Sequence, residues 1–232
     1  INASIEKVIQ IYENKSTFKI LRLKNNGGLA NALNIAIKAS SFDLIARMDA
    51  DDISDVKRLE VQLDFMDCNI NCGMVGSWVS TIDVNGLEIK KIRLYSKNDD
   101  LKKRLSQGNQ FVHGSVFFRK DMYLLAGGYD ADFRFSQDYD LWLRMAKISG
   151  CANVSKYLYK LRVHDGSISI KNEALQLSCA VRCLTKNVCH KEIESFLFSI
   201  KLGCNCSVCC GSASAQSIET IKIIIMARLL LK

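Results

Sequence analysis

The sequence predicts an α/β fold: a mixed, mostly parallel sheet flanked by helices, followed by a helical C-terminal tail. Three observations predict it. Segments of strand and helix periodicity alternate along residues 18–67. An apolar run, Phe42 to Met48, ends abruptly in Asp49-Ala50-Asp51-Asp52. The chain has 232 residues, 48% hydrophobic and 24% charged, which suits one large soluble domain with a full core. The same composition excludes a disordered chain, a collagen and a polytopic membrane protein.

The elements follow in order. Ile5, Val8, Ile9 and Tyr12 recur at helical spacing, so residues 4–14 are expected as a helix. Phe18 to Leu23 reads as a short strand and Asn25-Asn26-Gly27-Gly28 as a turn. Leu29 to Ala39 is expected as a helix with Leu29, Ala32, Leu33, Ala36 and Ile37 on one face. Phe42 to Met48 is apolar enough to be central in a sheet. Residues 55–67 are expected as a helix with Leu59, Leu63 and Met66 inward. Gly73 to Ile82 and Leu87 to Leu94 flank Asn85-Gly86, the signature of a hairpin. A short basic helix at 101–105 and a strand at 111–119 come next. Gly127-Gly128 ends a further helix, and Ser136 opens one from Gln137 to Ile148. After about residue 165 the alternation gives way to a helical tail. The domain division expected is 1–170 and 171–232.

An open parallel sheet that starts with a helix is expected to lack its opening strand, so the chain reads as starting part-way through a domain. Ile1 to Lys7 is already amphipathic and does not read as a signal peptide.

The chain carries 32 basic against 24 acidic residues, a net charge of +8. Such a balance favours anionic partners such as nucleotide phosphates or anionic lipid. No arginine-rich arm or RNA-binding signature is present, so no nucleic-acid partner is expected. The ten cysteines read as reduced thiols of a cytosolic protein, because the chain has ordinary core enough to fold without disulfides. Cys204, Cys206, Cys209 and Cys210 could grip zinc. Incidental thiols are the plainer reading, since structural sites draw their pairs from separate segments.

Asp49 and Asp51 stand two apart at a strand end, so period-two geometry points both carboxylates to one side. With Asp52 they concentrate negative charge that a divalent cation would neutralise, bound through one or two carboxylates and completed by phosphate oxygens. In open α/β sheets, ligands sit beyond the carboxyl ends of strands, where this cluster falls. An acidic turn that only caps the next helix is the structural alternative.

Context separates the two. Asn26-Gly27-Gly28-Leu29-Ala30 and Ala32-Leu33-Asn34 precede Arg47-Met48-Asp49-Ala50-Asp51-Asp52 by about twenty residues. His113-Gly114-Ser115, Gly127-Gly128-Tyr129-Asp130, Ser136-Gln137-Asp138-Tyr139-Asp140-Leu141-Trp142 and Arg162-Val163-His164-Asp165-Gly166-Ser167 follow in order. This series resembles the family 2 glycosyltransferases of the GT-A (Rossmann-like) fold, over roughly residues 1–170.

The resemblance implies an inverting transferase that moves sugar from a nucleotide-diphosphate donor, a UDP- or GDP-sugar, with Mn2+ or Mg2+. By the match, Asp49-Ala50-Asp51 is the family's Asp-x-Asp motif. Asp51 would hold the metal and Asp49 the donor's ribose or sugar, with Asp49 near the metal too. Asp138 matches the catalytic base, and His164 a histidine that reaches the metal or diphosphate. Asn25, Gly27, Gly28 and Arg47 would lie along the nucleotide.

The chemistry of the residues agrees. Transfer to a hydroxyl needs a base for its proton and positive charge on the departing diphosphate. Asp138 falls in the first turn of its helix, where the dipole favours an ionised acid; ordinary helix stabilisation is the alternative. Asp140 is its nearest rival and is expected to face elsewhere. Trp142 is expected in the core. His113 either touches the donor or closes a strand.

Three departures from the family are visible. The sequence begins after the strand, helix and acidic strand end that open the family's domain. Gln137 stands where relatives often carry Glu, and Val56 where Pro is expected. The first of these motivates a second hypothesis: a truncated, non-catalytic remnant or partner subunit with a weak nucleotide-sugar site. A third, another magnesium enzyme of phosphate esters, explains the aspartates and none of the later motifs.

The expected acceptor is a glycan or lipid-linked glycan of surface polysaccharide synthesis, placing the protein in the cytoplasm, peripheral at the inner face of the plasma membrane. Ile218 to Leu231 is apolar with Lys222 and Arg228 interspersed. It either lies on a membrane as a basic amphipathic helix or packs onto the domain.

Overall fold

The computed structural model describes residues 3–13, 15–164 and 173–188. Along them run helices α1 (Ala3–Glu13) and α2 (Gly28–Ala39), strands β1 (Leu44–Ala46) and β2 (Ile53–Ser54), and helix α3 (Arg58–Cys68). The hairpin β3 (Cys72–Ile82) and β4 (Glu88–Ile92) precedes α4 (Asn98–Leu105). A 3-10 turn (His113–Ser115), β5 (Phe117–Arg119), α5 (Lys120–Leu125), α6 (Gln137–Ile148), β6 (Gly150–Arg162) and α7 (Glu173–Asn187) complete the order.

The strands form one mixed sheet in the order β1-β5-β3-β6-β2. β3 is its spine. One edge of β3 takes β6 in parallel, from Cys72 opposite Gly150 to Ile82 opposite Arg162. The other edge is shared: Met74 and Val75 pair with β5, and Val79 to Ile82 with β4. Side chains alternate across this spine. Met74, Phe118 and Cys151 face a core shared with α2, α4, α5, α6 and α7. Val75, Phe117 and Ala152 face the smaller core under α3, sealed by Met66.

The expected helix-flanked mixed sheet is present, but its pairings are mainly antiparallel. Only β3–β6 is parallel among the described residues. The hairpin return of β4 and the reversed entries of β2 and β5 account for this. The apolar run at 42–48 forms only a three-residue strand, at the edge of the sheet rather than its centre, and Phe42 is exposed. Residues 18–23 form no strand. A strand exists through its cross-strand hydrogen bonds, and this segment has no ladder partner among the described residues. Its apolar Phe18, Leu21 and Leu23 are exposed accordingly.

Other expectations shift for local reasons. The segment 111–119 is a strand only from Phe117; His113-Gly114-Ser115 coils first. Helix α3 turns Arg58, Gln62 and Met66 inward, leaving Leu59 and Leu63 exposed. The inward face is polar because it serves backbone. Arg58 Nη2 donates to the carbonyls of Arg47 (2.8 Å) and Val116 (3.3 Å). Gln62 Nε2 donates to those of Val75 (3.2 Å) and Ser115 (2.9 Å). In α2, the buried residues are Ala30 and Ile37, with Leu29 and Ala36 exposed. Helix α1 buries no side chain; Arg22 ties it to the segment behind it through Glu6, at 2.6 Å.

β6, the longest strand among the described residues, went unread in the sequence. The domain boundary expected at residue 170 falls outside the described residues, as do Cys204, Cys206, Cys209, Cys210 and the apolar segment 218–231. Helix α7 packs Leu177, Val181, Cys183 and Leu184 into the main core. Cys68, Cys72, Cys151, Cys179 and Cys183 are free thiols. Among the described residues no helix is long and apolar enough to cross a membrane.

Candidate active site

A cleft of about 1120 Å³ opens at the end of the sheet where β1 and β6 run out. It gathers Gly27, Gly28, Arg47, Asp49, Asp51, Asp138 and His164 from widely separated parts of the chain. Asn25 does not line it; Asn26 does, and its Oδ1 accepts from the Gly28 amide at 3.1 Å.

The acidic loop is built first. Arg47 continues the β1–β5 ladder, its amide donating to Val116 O at 3.0 Å. Its side chain is buried and pairs with the Asp49 carboxylate through Nη1. Its Nε is buried without a hydrogen-bond partner among the described residues. The Asp49 amide donates to the Tyr159 hydroxyl at 3.1 Å. That hydroxyl donates in turn to Asp52 Oδ2 at 2.6 Å. Arg162 closes the loop: its amide donates to Asp52 Oδ1 at 2.7 Å and its Nε to Asp51 O at 2.7 Å. Asp52 is buried, and desolvation raises its pKa against the pull of these hydrogen bonds. Asp51, by contrast, stays half-exposed, and His164 Nε2 lies 3.6 Å from its Oδ2.

Asp138 approaches from α6. Its helix starts at Ser136, whose φ of 57° is the only positive value on a non-glycine residue among the described residues. Such strain persists where the surroundings impose it. Here Ser136 Oγ donates to Gln176 O of α7 at 3.1 Å. The Asp138 carboxylate accepts from Asn109 Nδ2 at 2.9 Å. Burial raises its pKa, and the hydrogen bonds from the Tyr139 amide and Asn109 and the charge of Arg47 oppose this. A carboxylate so placed is a stronger base than one in water. Asn109 was not singled out in the sequence; it lies in a polar loop with no pattern to mark it.

Asp140 faces away, as expected. It is fully buried and accepts from Arg144 at 2.6 Å and Asn187 at 2.8 Å. Trp142 sits in the core, ringed by Phe111, Phe118, His113 and Tyr129. His113 lines the cleft and shares a 2.8 Å hydrogen bond with the Tyr129 hydroxyl. Burial, reinforced by Arg47, holds its pKa well below the ordinary imidazole value.

The sequence motifs are joined physically. Asn34 of α2 donates to Tyr129 O at 2.8 Å and accepts from the Tyr129 amide at 3.0 Å. That grip needs the turn at Gly128, whose φ is +70° and where a Cβ would meet the Tyr123 hydroxyl at 2.9 Å.

The donor chemistry suits a hard divalent cation next to a diphosphate. Asp51 and His164 offer one carboxylate and one imidazole, and Asp49 is drawn to Arg47. No three His, Cys, Asp or Glu side chains converge as a ready-made cage among the described residues. Magnesium-type sites commonly leave most positions to water and substrate phosphate. The unpartnered Arg47 Nε adds a buried donor in the same cleft.

Comparison with known proteins gives the following. The model for Glycosyl transferase family 2 matches residues 2–125. The O-antigen biosynthesis glycosyltransferase WbnJ of Escherichia coli is 36% identical over 176 residues, 74% of this chain and 67% of that protein. The amylovoran biosynthesis glycosyltransferase AmsE of Erwinia amylovora is 33% identical over 170 residues, 73% of this chain and 63% of that protein. An Escherichia coli UDP-Gal:alpha-D-GlcNAc-diphosphoundecaprenol beta-1,3-galactosyltransferase is 29% identical over 164 residues, 70% of this chain and 59% of that protein. The chain therefore spans about two thirds or less of these relatives' lengths. Among solved structures, S. aureus TarS 1-349 in complex with UDP-GlcNAc superposes with a TM-score of 0.63 at 14% identity, covering 84% of this chain and 60% of that one. The mannosyltransferase PcManGT of Pyrobaculum calidifontis, in complex with GDP-Man and Mn2+, gives 0.56 at 11% identity, covering 100% and 69%. At these identities the likeness is one of fold.

Proposed function

The chain belongs to glycosyl transferase family 2, and from that premise we propose that it transfers a sugar, with inversion, from a UDP- or GDP-sugar to a hydroxyl of a glycan or lipid-linked glycan. The observation that carries this reading is the meeting of Asp138, Arg47, Asp49, Asp51 and His164 in one cleft.

In this mechanism the acceptor hydroxyl attacks the anomeric carbon as the bond from that carbon to the diphosphate breaks. Asp138 takes the hydroxyl proton. The nucleoside diphosphate leaves with the bonding electrons. Arg47 lends its buried charge to the diphosphate. Gly27 and Gly28 leave room for the nucleotide, and Asp49 holds the ribose or sugar. Asp51 and His164 would hold Mn2+ or Mg2+, which when bound supplies further positive charge to the leaving group.

The bound ligands of the two solved structures, UDP-GlcNAc and GDP-Man, support a nucleotide-sugar donor. The relatives named for O-antigen and amylovoran biosynthesis, and the one acting on a diphosphoundecaprenol-linked sugar, support a polysaccharide acceptor. Such an acceptor puts the protein in the cytoplasm, peripheral at the inner face of the membrane.

Calorimetric titration of UDP and GDP, with and without manganese, tests the reading. Binding that strengthens with manganese in the native chain and loses that gain in Asp51→Ala is expected. Binding indifferent to both manganese and Asp51 would contradict it.

A further inference from the structure

We propose that Asp52, Tyr159 and Arg162 form a latch that sets the separation of Asp51 and His164, and with it the affinity of the cleft for a divalent cation. The proposal rests on the reading of Asp51 and His164 as the cation-holding pair.

The two residues of that pair lie far apart in the sequence, at positions 51 and 164. Asp51 belongs to the loop after β1, and His164 stands two residues beyond the end of β6. β1 and β6 are not neighbours in the sheet, but the loop runs on into β2, where Ile53 pairs with Lys160 and Ser54 with Tyr159 of β6. That short ladder holds the backbone just beyond Asp52, and side chains hold the loop itself. Asp52, next to Asp51, accepts from the Tyr159 hydroxyl at 2.6 Å and from the Arg162 amide at 2.7 Å. Tyr159 also accepts from the Asp49 amide at 3.1 Å. The Arg162 guanidinium donates to Asp51 O at 2.7 Å. Four hydrogen bonds thus tie Asp49, Asp51 and Asp52 to the end of β6.

The tyrosine is itself immobilised. The Arg58 guanidinium lies 5.1 Å from its ring centroid. Gly114 fits against its hydroxyl end; a Cβ there would come within 2.0 Å of the hydroxyl. Arg162 is anchored further, to Asp83 O at 2.7 Å and Val84 O at 2.9 Å in the β3–β4 turn. An error of about 1 Å in ligand placement is enough to spoil a site. The β2–β6 ladder fixes backbone beyond Asp52 but not the direction of its carboxylate, whereas directional hydrogen bonds to both oxygens of Asp52 do. Tyr159 and Asp52 therefore act as positioning residues, through Asp51 and His164.

The test is Mn2+ binding by the full chain, read by the electron paramagnetic resonance signal of free Mn2+ in the presence of UDP or of GDP. Tyr159→Phe removes one hydroxyl and little volume. It is expected to raise the Mn2+ dissociation constant tenfold or more, as loss of a supporting partner to metal ligands commonly does. Metal-free nucleotide binding should not change. Asp52→Asn, which keeps size but has one accepting oxygen, should weaken Mn2+ similarly. The double variant should be no worse than either single change, because the three groups act as one unit. A lowered Tm with an unchanged Mn2+ dissociation constant in both single variants would overturn the latch. Retained Mn2+ binding in Asp51→Ala would overturn the assignment of the pair, and the latch with it. Loss in Asp51→Ala with no effect of Tyr159→Phe or Asp52→Asn would overturn the latch alone.

Discussion

The Nε2 atom of His164 stands 3.6 Å from the Asp51 carboxylate, although the two residues leave the sheet from different strands. That separation is too long for a hydrogen bond, and in the proposed function the two groups hold one cation. Removing the imidazole in His164→Ala is therefore expected to weaken manganese-dependent nucleotide binding about tenfold, ~1.4 kcal/mol. Binding without manganese should stay the same. Paired calorimetric titrations check both halves of this expectation.

Asp138 carries a pH signature. Its carboxyl is shifted above the ordinary aspartate range, chiefly by burial. A base must be ionised to work, so kcat/KM should fall as pH drops through that raised value. The acid limb of the profile is then expected above the range of an exposed aspartate. For stability the sign is reversed. A carboxyl with a raised folded-state pKa costs the fold nothing when protonated in both states, and costs most above that pKa. Asp138→Asn should therefore melt higher than the native chain, by a margin that grows from acid to neutral pH. Melting curves at several pH values would show it.

Two residues along the same helix, the opposite effect is expected. Asp140 accepts from Arg144 Nε and Nη2 at 2.9 and 2.6 Å and from Asn187 at 2.8 Å, with Lys186 at 3.5 Å. Asp140→Ala would strand Arg144 and release the end of α7 from α6. Breaking one side of a buried pair costs about 3–5 kcal/mol. Urea unfolding should show a loss of that order.

Arg58 is the polar keystone of the other face. It is 1% exposed, and burial lowers its pKa to about 10, so it stays charged at neutral pH. It donates to Arg47 O, Val116 O and Gln62 Oε1. Arg58→Met would fill most of the space and leave those acceptors bare. A loss of about 2–4 kcal/mol is expected, with no pH dependence below about pH 9 because the native charge does not change there. Urea unfolding at pH 6 and pH 8 would check both points.

The residues that meet in the cleft were more legible in the sequence than the strand pairings. Asp49, Asp51, Asp138 and His164 were visible because each sits in a distinctive short motif, and all four line one cleft. Asn109 and Tyr159 were not, since their roles depend on partners far away in the chain. β6 was hidden for a physical reason. Cys151 to Val154 are buried on both faces, so no alternation marks the strand, and its pairing with β3 shifts register three times. Helix α3 misled in the opposite way. Leu59 and Leu63 looked like a core stripe, but beneath the helix lie backbone carbonyls to which Arg58 and Gln62 donate. The segment 18–23 shows the limit of propensity: its apolar residues suit a strand, but ladder partners are needed to make one.

The measurement that tests the central claim most directly is sugar transfer by Asp138→Asn alongside its donor binding. Transfer from a UDP- or GDP-sugar to a lipid-linked glycan acceptor, and calorimetric binding of the same nucleotide with manganese, would be compared with the native chain. The account predicts transfer lowered by at least a hundredfold, within the range supplied by a general base, with nucleotide affinity within about twofold. Transfer undiminished in Asp138→Asn would contradict it.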